Sequence, residues 1–423
     1  MMKIGLYIES LPDYIDYSAP QNGNPGIGGT QYCMLLLAHY LKSYRPTWKI
    51  IIYSQAESIY PREVEFVRVN NDIDALEKSI DLDILIIKNP AKESMLYKKL
   101  CTVEQNIIVW VHNYILSDYS DYLYHCKSVK SVVFVGKQLY DRYIDTDLIT
   151  KSTYIYNIVP DCCRIIKREM RPWVIFLGAI IPVKGFHVLA SMWPRILNEC
   201  PNAQLHVLGS GKVYSRDCHL GKYNIAESAY EMNFMKYLTD SNGNIGKSVV
   251  FHGIVGQEKY DIFQKAMVGV VNPSGRTETF GMGIVEMNSA CLPVVTINRN
   301  GYPDTVINGK NGFLGNNKTE IENHIIHLLK DCDCNMEMGK SAKETVQRFS
   351  PSEIIPLWLE LFNKLNEGCT SFPYIRYSTP INNNLKYIRV VNRFLRFNMH
   401  LKFFPSFLSV ETFIYKLLCR IKQ

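Results

Sequence analysis

Two glutamates, Glu278 and Glu286, lie with seven residues between them in the stretch 272–289, which reads NPSGRTETFGMGIVEMNS. Gly281 and Gly283 stand between the two acids and let the backbone approach an anion closely. Glu278 precedes a predicted helix and Glu286 lies in its first turns, so one carboxylate can reach the reacting end of a ligand while the other meets a more distant polar part. Alternatively, Glu278 is a solvated loop residue and Glu286 only complements the helix dipole.

The elements around this pair form one βαβ unit. An apolar run ending at Val271 predicts a buried parallel strand, which Pro273 cannot continue. Residues 282–291 have a helical pattern, and residues 293–297 begin another apolar strand. Because ligands of open α/β sheets bind at the carboxyl ends of the strands, both glutamates lie where chemistry is expected. The amides at the helix N-terminus can receive an anion there.

The segment TETFGMGIVEMNSACLPVV resembles the E-x7-E segment of the retaining, nucleotide-sugar-dependent glycosyltransferases of family four. The Glu pair, the Phe-Gly and the following Pro-Val-Val recur in the same order. The resemblance implies that Glu278 faces the donor sugar, that Glu286 holds the ribose hydroxyls, and that the amides between them receive the diphosphate. The residues assigned to the diphosphate are Thr279, Phe280, Gly281 and Met282. The similarity covers residues 3–366 and is strongest over residues 173–314.

Composition indicates a globular chain. Its 423 residues suffice for two domains of ordinary size, and 47% hydrophobic against 21% charged residues excludes a disordered protein. No apolar stretch reaches the roughly 18 residues of a membrane span. The strand-like start at Ile4 leaves no room for a secretory signal. Twelve scattered cysteines without a C-x-x-C pair fit a reducing cytoplasm better than a disulfide framework.

The first half alternates strands and helices, which predicts a doubly wound, mainly parallel sheet. The predicted strands are residues 4–8, 49–53, 65–69, 83–87, 107–111 and 132–135, and the clearest helices are residues 30–41 and 73–80.

A long loop, residues 10–27, separates the first strand from the first helix and ends in Gly28-Gly29. Glycines that open a helix expose backbone amides and make a possible phosphate site, although a glycine turn before a helix is commonplace. The family keeps a Gly-Gly here, as in GIGGTQYCMLLLAHYL, so the resemblance adds Gly28 and Gly29 to the donor site. The length of the loop predicts a role in the acceptor opening.

His112 directly follows the predicted strand 107–111, at another carboxyl strand end. A hydrogen-bonded structural histidine is the ordinary alternative. The family carries a His at this point, facing the reacting end of the donor, so the resemblance implies a catalytic His112 on the acceptor side.

The second half, from Trp173, resembles the family's donor-binding half, with VIFLGAIIPVKGFHVLASMWPRIL as strand, loop and helix. The family usually places a basic residue after the position of Gly178, where this chain has Ala179. Lys184 matches the family's second basic residue, and the resemblance implies that it stabilises the diphosphate. Arg276 is the candidate to replace the missing basic residue. The alternative, given equal weight, is that Arg276 is a solvated loop residue.

The predicted domains are residues 1–165 on the acceptor side, 166–350 for the donor, a crossover helix at 351–370 and a tail at 371–423. Residues 212–229 are expected to be an insertion over the site, and residues 308–314 a short hairpin.

No metal site is predicted. His324 and His327 lie one helical turn apart, which could suit a metal, but no further ligands are expected to gather near them, so a surface helix is favoured. Three Asp-x-Asp spacings, at 81/83, 145/147 and 331/333, are interpreted as incidental because none is coupled to the two glutamates.

The tail is strongly basic. Residues 371–423 carry nine Lys or Arg and one acid, which gives 9 − 1 = +8, so the remainder of the +7 chain carries 7 − 8 = −1. This distribution predicts a local electrostatic partner rather than a nucleic acid. A narrow helical stripe of basic residues faces away from a wide apolar side, which is typical of helices on anionic membranes. The members of this basic stripe are Lys386, Arg389, Arg393, Arg396 and His400. Alternatively, the tail packs on the first domain and its charges are solvated.

The sequence therefore predicts an α/β protein with two doubly wound Rossmann-like domains facing across a cleft (GT-B), followed by a basic amphipathic helical tail. The resemblance implies metal-independent, retaining transfer of a hexosyl or N-acetylhexosaminyl group from a nucleotide diphosphate-sugar to a saccharide hydroxyl. A lipid-linked acceptor of bacterial surface polysaccharide synthesis, on the cytoplasmic side of the cell membrane, would suit the tail. A nucleotide-sugar epimerase of the same fold and a non-catalytic nucleotide-sugar-binding scaffold are the alternatives.

Overall fold

The computed structural model describes residues 1–160, 168–213 and 219–421. Its contacts divide the chain into two units. The first unit comprises Met1–Ala19, Thr30–Ile158 and Pro351–Gln423, and the second comprises Pro20–Gly29 and Val159–Ser350. The predicted boundary between residues 165 and 166 lies outside the described residues.

The first unit is built on a seven-stranded parallel sheet. Its strands are β1 (Lys3–Tyr7), β2 (Lys49–Ser54), β3 (Glu65–Arg68), β4 (Ile84–Lys88), β5 (Ile107–Val111), β6 (Val129–Phe134) and β7 (Ser152–Tyr154). The helices between them are α1 (Gly29–Tyr44), α2 (Asp72–Lys78), α3 (Met95–Lys99), α4 (Ser117–His125) and α5 (Lys137–Asp141). The strand order is β3-β2-β1-β4-β5-β6-β7. Strands β2 and β3 lie on one side of β1 and the later strands lie on the other, so the chain order switches between β1 and β4. All five side chains of β5 are buried, as expected for a parallel strand covered on both faces.

The second unit contains a six-stranded parallel sheet. Its strands are β8 (Trp173–Leu177), β9 (Gln204–Leu208), β10 (Val249–Gly253), β11 (Val268–Val270), β12 (Val294–Ile297) and β13 (Gly312–Gly315). Its helices are α6 (Phe186–Glu199), α7 (Ser228–Met235), α8 (Lys259–Lys265), α9 (Met282–Ser289), α10 (Tyr302–Thr305), α11 (Lys318–Lys330) and α12 (Cys332–Val346). The order β10-β9-β8-β11-β12-β13 reverses between β8 and β11.

One predicted element of the second unit is wrong. Residues 308–314 do not form a hairpin, because Gly312–Gly315 is the edge strand β13, parallel to β12. A side chain at Gly312 would meet the Val294 backbone, since its Cβ would lie 2.3 Å from that carbonyl oxygen. The glycine therefore allows this strand to approach the sheet closely.

The helix that follows, α13 (Pro351–Asn366), is grouped with the first unit. Its Trp358 ring packs edge-on against Trp110 of β5, with ring centroids 5.0 Å apart. Phe362 lies against Trp48, with centroids 6.2 Å apart. These aromatic contacts anchor the helix on the first unit.

The tail forms α14 (Lys386–Arg393), a π-helical turn (Phe394–Asn398) and α15 (Phe407–Ile421). Most of the basic stripe packs against α5 and the residues that follow it, so the tail packs on the first domain, as in the alternative given above. Lys386 Nζ lies 2.8 Å from Asp141 Oδ2 with both side chains fully buried. Arg396 lies 3.1 Å from Asp147 Oδ2. The charges are therefore not simply solvated. Lys386, Arg389 and Arg396 lie near acids at or after the end of α5, Arg393 donates to the Ile144 carbonyl at 2.7 Å, and His400 is the exposed member of the stripe.

The apolar side of the tail is left exposed instead. Every side chain from residue 413 to residue 420 is exposed. The large exposed apolar side chains of the tail include Val391, Phe394, Met399, Phe403, Phe413, Ile414, Leu417 and Leu418. None of the helices in the described ranges combines the length and apolar character that a membrane span requires.

Cys101 and Cys126 are joined by a disulfide. The bond ties the loop after α3 to the residue that directly follows α4. The scattered cysteines of the sequence did not predict this pairing, because residues 25 positions apart become neighbours only in the folded unit.

Candidate active site

The second sheet places two loops side by side where its strand order reverses. These are the loop after β8, which carries Gly178 and Lys184, and the loop after β11, which leads to Glu278. Crevices at the carboxyl ends of strands at such a reversal are the usual ligand sites of doubly wound sheets. The topology therefore brings together residues that are about a hundred positions apart in the chain.

Gly178 and Gly209 allow the loops after β8 and β9 to touch. A Cβ at Gly209 would lie 1.8 Å from the Gly178 carbonyl oxygen, and both glycines have positive φ angles, 152° and 151°. Ala179 is 4% exposed and continues this tightly packed turn. The position where the family usually has a basic residue is thus filled by a buried methyl group.

Lys184 and Glu278 form an ion pair across the two loops. Lys184 Nζ lies 3.0 Å from Glu278 Oε2, and the side chains are 21% and 14% exposed. Gly185, with φ of 68°, brings the first loop against Ser274, since a Cβ there would lie 2.8 Å from the Ser274 Cβ. This close approach holds the lysine beside the glutamate.

Helix α9 begins at the site without a side-chain cap. Gly281 precedes it with φ of 93°, and a Cβ there would lie 3.1 Å from the Tyr302 ring. Gly301 holds the loop backbone that precedes α9, because its amide donates to the Glu278 carbonyl at 3.2 Å. A Cβ at Gly301 would come within 2.2 Å of the Thr279 carbonyl group. An uncapped helix N-terminus with closely held backbone is suited to an anion.

Glu286 is paired with a residue that the sequence analysis did not identify. Lys259 Nζ lies 2.8 Å from Glu286 Oε1, and the side chains are 4% and 9% exposed. Lys259 is the first residue of α8 and lies one helical turn before the buried Phe263. A lysine at an apolar position of a helical pattern is the signal that could have drawn attention to it.

The predicted phosphate loop lies against the same elements. A Cβ at Gly29 would come 3.9 Å from the Met282 side chain, at the start of α9. A Cβ at Gly23 would lie 2.9 Å from the Tyr260 ring on α8. Gly28 and Gly29 therefore lie beside the N-terminus of α9, and residues 20–29 are grouped with the second unit although they lead into α1 of the first.

Arg276 is exposed on the loop after β11. Burial, together with the positive charge of Arg276, lowers the pKa of His187 in the first turn of α6. The charge of the guanidinium thus influences His187 on α6. That Arg276 replaces the basic residue missing at Ala179 stays a prediction.

In the first unit, His112 lies at the carboxyl end of β5, as predicted. It is 6% exposed, and its amide donates to Asn89 Oδ1 at 3.2 Å. Burial, with a contribution from the charge of Lys88, lowers the pKa of His112 to about 3. Lys88 itself pairs with Glu9 at 2.7 Å. His112 is therefore neutral at physiological pH, and its uncharged ring can donate one hydrogen bond and accept another.

Three comparisons bear on these two units. Residues 164–345 match the family model described as Glycosyl transferases group 1. An uncharacterized glycosyltransferase of Haemophilus influenzae is 22% identical over 73% of this chain and 84% of that protein. The solved structure of Anabaena HepE with UDP and glucose superposes with a TM-score of 0.62 at 16% identity, covering 86% of this chain and all of HepE. These similarities support the interpretation that this chain is a glycosyltransferase.

A further glycosyltransferase relative has a stated pathway. The capsular polysaccharide biosynthesis glycosyltransferase CapM of Staphylococcus aureus is 28% identical over 45% of each protein. The solved neighbours confirm the predicted fold class, two parallel-sheet Rossmann-like units of the GT-B type with a helical C-terminal region.

The acidic and metal-ligating spacings outside the site have structural partners. Asp83 accepts a hydrogen bond from the Lys3 amide at 2.7 Å, and Asp147 pairs with Arg396. The expectation that no ligands gather near His327 is wrong, because Asp331 and Cys334 lie with it and their ligand atoms are within 4.8 Å of one another. Asp331 already has a structural role, since its carboxylate accepts from the Cys334 amide at 2.9 Å and caps α12.

Proposed function

We propose that this chain is a retaining glycosyltransferase that moves a hexosyl or N-acetylhexosaminyl group from a nucleotide diphosphate-sugar to a saccharide hydroxyl. The observation that carries the proposal is the Lys184–Glu278 ion pair beside the uncapped N-terminus of α9. A diphosphate needs cations and amide donors, whereas a sugar needs a carboxylate that accepts from its hydroxyls. Both requirements are met within one crevice.

In the proposed reaction, the bond between the anomeric carbon and the leaving diphosphate oxygen breaks, and the acceptor oxygen forms the new bond on the same face. Lys184 and the amides at residues 279–281 stabilise the charge that develops on the diphosphate. The acceptor proton passes to the departing phosphate oxygen, so no strong base is required beside Glu278. Glu286 holds the ribose hydroxyls, and neutral His112, in the first unit, acts on the acceptor side.

No metal is included in this proposal, because Lys184 and the dipole of α9 supply the positive potential that a divalent cation would provide. UDP- and GDP-linked donors are both compatible with these groups. UDP and glucose are bound in the HepE structure, which makes UDP-sugars the first donors to assay.

The test is release of nucleoside diphosphate from a panel of UDP- and GDP-sugars, measured with and without saccharide acceptors. Release that depends on the acceptor, with a product of unchanged anomeric configuration by NMR, is the expected result. An epimerase would instead convert the nucleotide-sugar without releasing nucleotide. A scaffold would bind the nucleotide and do neither.

We further propose that the exposed apolar side of the tail binds an anionic membrane surface and brings the enzyme to a lipid-linked acceptor of bacterial surface polysaccharide synthesis. The support is a surface of aromatic and aliphatic side chains on α15, with Lys416 and Arg420 exposed among them. Apolar insertion with a few basic residues is typical of interfacial helices. The enzyme would then lie on the cytoplasmic face of the membrane.

Cosedimentation with phosphatidylcholine vesicles, with and without phosphatidylglycerol, tests this second proposal. Phe413→Glu with Leu417→Glu should abolish binding to the anionic vesicles while donor binding is unchanged. Met232→Glu, at another exposed apolar side chain, is the matched control. Full-length protein that ignores anionic vesicles at physiological salt would contradict the proposal.

A further inference from the structure

Lys259 is a buried lysine whose ammonium group meets the carboxylate of Glu286. The contact joins Nζ to Oε1 at 2.8 Å, with 4% of the lysine side chain and 9% of the glutamate side chain exposed. The Tyr260 ring also lies near the ammonium, 5.5 Å from its centroid. The pair joins the first turn of α8 to the second turn of α9.

Packing alone does not account for a lysine at this position. Lys259 lies on the buried side of α8 with Tyr260 and Phe263, where an apolar side chain would fill the space. Removing two charges from water is costly, and buried ion pairs are often no more stabilising than apolar residues of the same size. The value of the lysine must then lie in what it does to Glu286.

We propose that Lys259 is a positioning residue that occupies one oxygen of Glu286 and turns the other toward the ribose of the bound nucleotide. This inference rests on the proposed role of Glu286 in donor binding. Within the described ranges, Lys259 is the side chain that donates to this carboxylate. With Oε1 held by the ammonium, Oε2 remains as the acceptor for ribose hydroxyls.

The pairing makes the site selective for ribonucleotides. A carboxylate held in one orientation accepts well from a hydroxyl and loses that hydrogen bond when the hydroxyl is missing. Without Lys259 the buried carboxylate has no countercharge and turns toward water, so it no longer distinguishes the two sugars.

The experiment measures the Kd values of UDP, GDP and their 2′-deoxy analogues by calorimetry on the full chain. Wild-type protein should bind a ribonucleotide more tightly than its deoxy analogue. Lys259→Met should weaken ribonucleotide binding about tenfold and bring the two Kd values together. Lys265→Met, on the same helix but without an ion pair in the described structure, should leave both unchanged.

A double-variant cycle separates positioning from general packing. In a Glu286→Gln background, Lys259→Met should change the Kd by less than about twofold, because the two residues act through one contact. Lys259→Gln keeps a hydrogen-bond donor on a shorter, uncharged side chain, so it should lose part of the selectivity but bind more tightly than Lys259→Met; it also serves if the Met variant does not fold. Unaltered selectivity in folded Lys259→Met or Lys259→Gln, or additive effects in the cycle, would overturn the inference. Wild-type protein that binds none of these nucleotides would overturn the proposed function as well.

Discussion

Lys184 Nζ lies 3.0 Å from Glu278 Oε2, so the cation proposed for the diphosphate and the acid proposed for the sugar are in contact before any donor binds. The glutamate, which lies in the loop that leads into α9, holds the ammonium group of the lysine in one orientation for an incoming anion. Preorganisation of this kind means that little rearrangement is needed as charge develops on the leaving group.

The first prediction concerns Lys184. Because Ala179 supplies no charge, Lys184→Ala should cost about 2–4 kcal/mol of transition-state stabilisation, read from kcat/KM. Lys318→Ala, at the start of α11 where the ammonium group donates to the Ser191 carbonyl rather than to Glu278, is the control and should behave as wild type. Normal kcat/KM in Lys184→Ala would show that another group neutralises the diphosphate.

The second prediction separates the two glutamates. Glu286→Gln should mainly raise the Kd of the nucleotide and donor. Glu278→Gln should lower kcat while free nucleotide still binds normally, because its contact lies with the sugar. Calorimetry with nucleotide and steady-state kinetics check the two variants, and equal mild effects from both would show that the assigned roles are wrong.

The third prediction concerns metal. Activity should persist in excess EDTA, because Lys184 and the amides of α9 compensate the negative charge of the leaving diphosphate. The measurement is nucleotide release before and after chelation. Loss of activity that added Mg²⁺ or Mn²⁺ restores would count against this description of the site.

The fourth prediction concerns pH and His112, whose pKa is lowered by burial from 6.5 to about 3. Above pH 6.5 the histidine is neutral in the folded and unfolded states, and its contribution to stability is complete. Below pH 6.5 the unfolded state binds a proton that the folded state refuses, so stability falls by about 1.4 kcal/mol per pH unit toward the folded pKa.

The wild-type free energy of unfolding should therefore fall relative to that of His112→Gln between pH 6.5 and 5. Denaturant unfolding at the two values measures the difference, and the exposed His400→Gln is the control. Parallel curves for wild type and His112→Gln would contradict the burial of a neutral histidine.

The fifth prediction concerns Arg389 in the tail. Its guanidinium is fully buried, 2.5 Å from Glu411 and 3.9 Å from Asp145. Arg389→Met removes the cation nearest to buried Asp145 and one of the two cations at Glu411, which keeps Arg142 at 3.2 Å, and should destabilise the first unit by about 3–5 kcal/mol. Thermal unfolding should show a lower midpoint, whereas the exposed Arg420→Met should change the free energy by less than about 0.5 kcal/mol. A solvated tail would make both variants neutral.

Much of the fold could be predicted from the sequence because its signals are local. Continuous apolar runs such as residues 107–111 specify buried parallel strands, and β5 has the same bounds. Glycines before helices, as at Gly29 and Gly281, marked the loops that the structure places together. The order of strands and helices then restricts the chain to doubly wound sheets.

The tertiary structure decided what depends on neighbours distant in sequence. The spacing of Lys386, Arg389 and Arg396 showed that they share one helical face but could not show what that face meets. Aspartates some 250 residues earlier attract them, so the apolar side is exposed instead. The pairing of Glu286 with Lys259 has the same origin, since α8 and α9 become neighbours only when the sheet forms. Periodicity determines which residues lie together on an element, whereas the partner of that face is set by packing between elements.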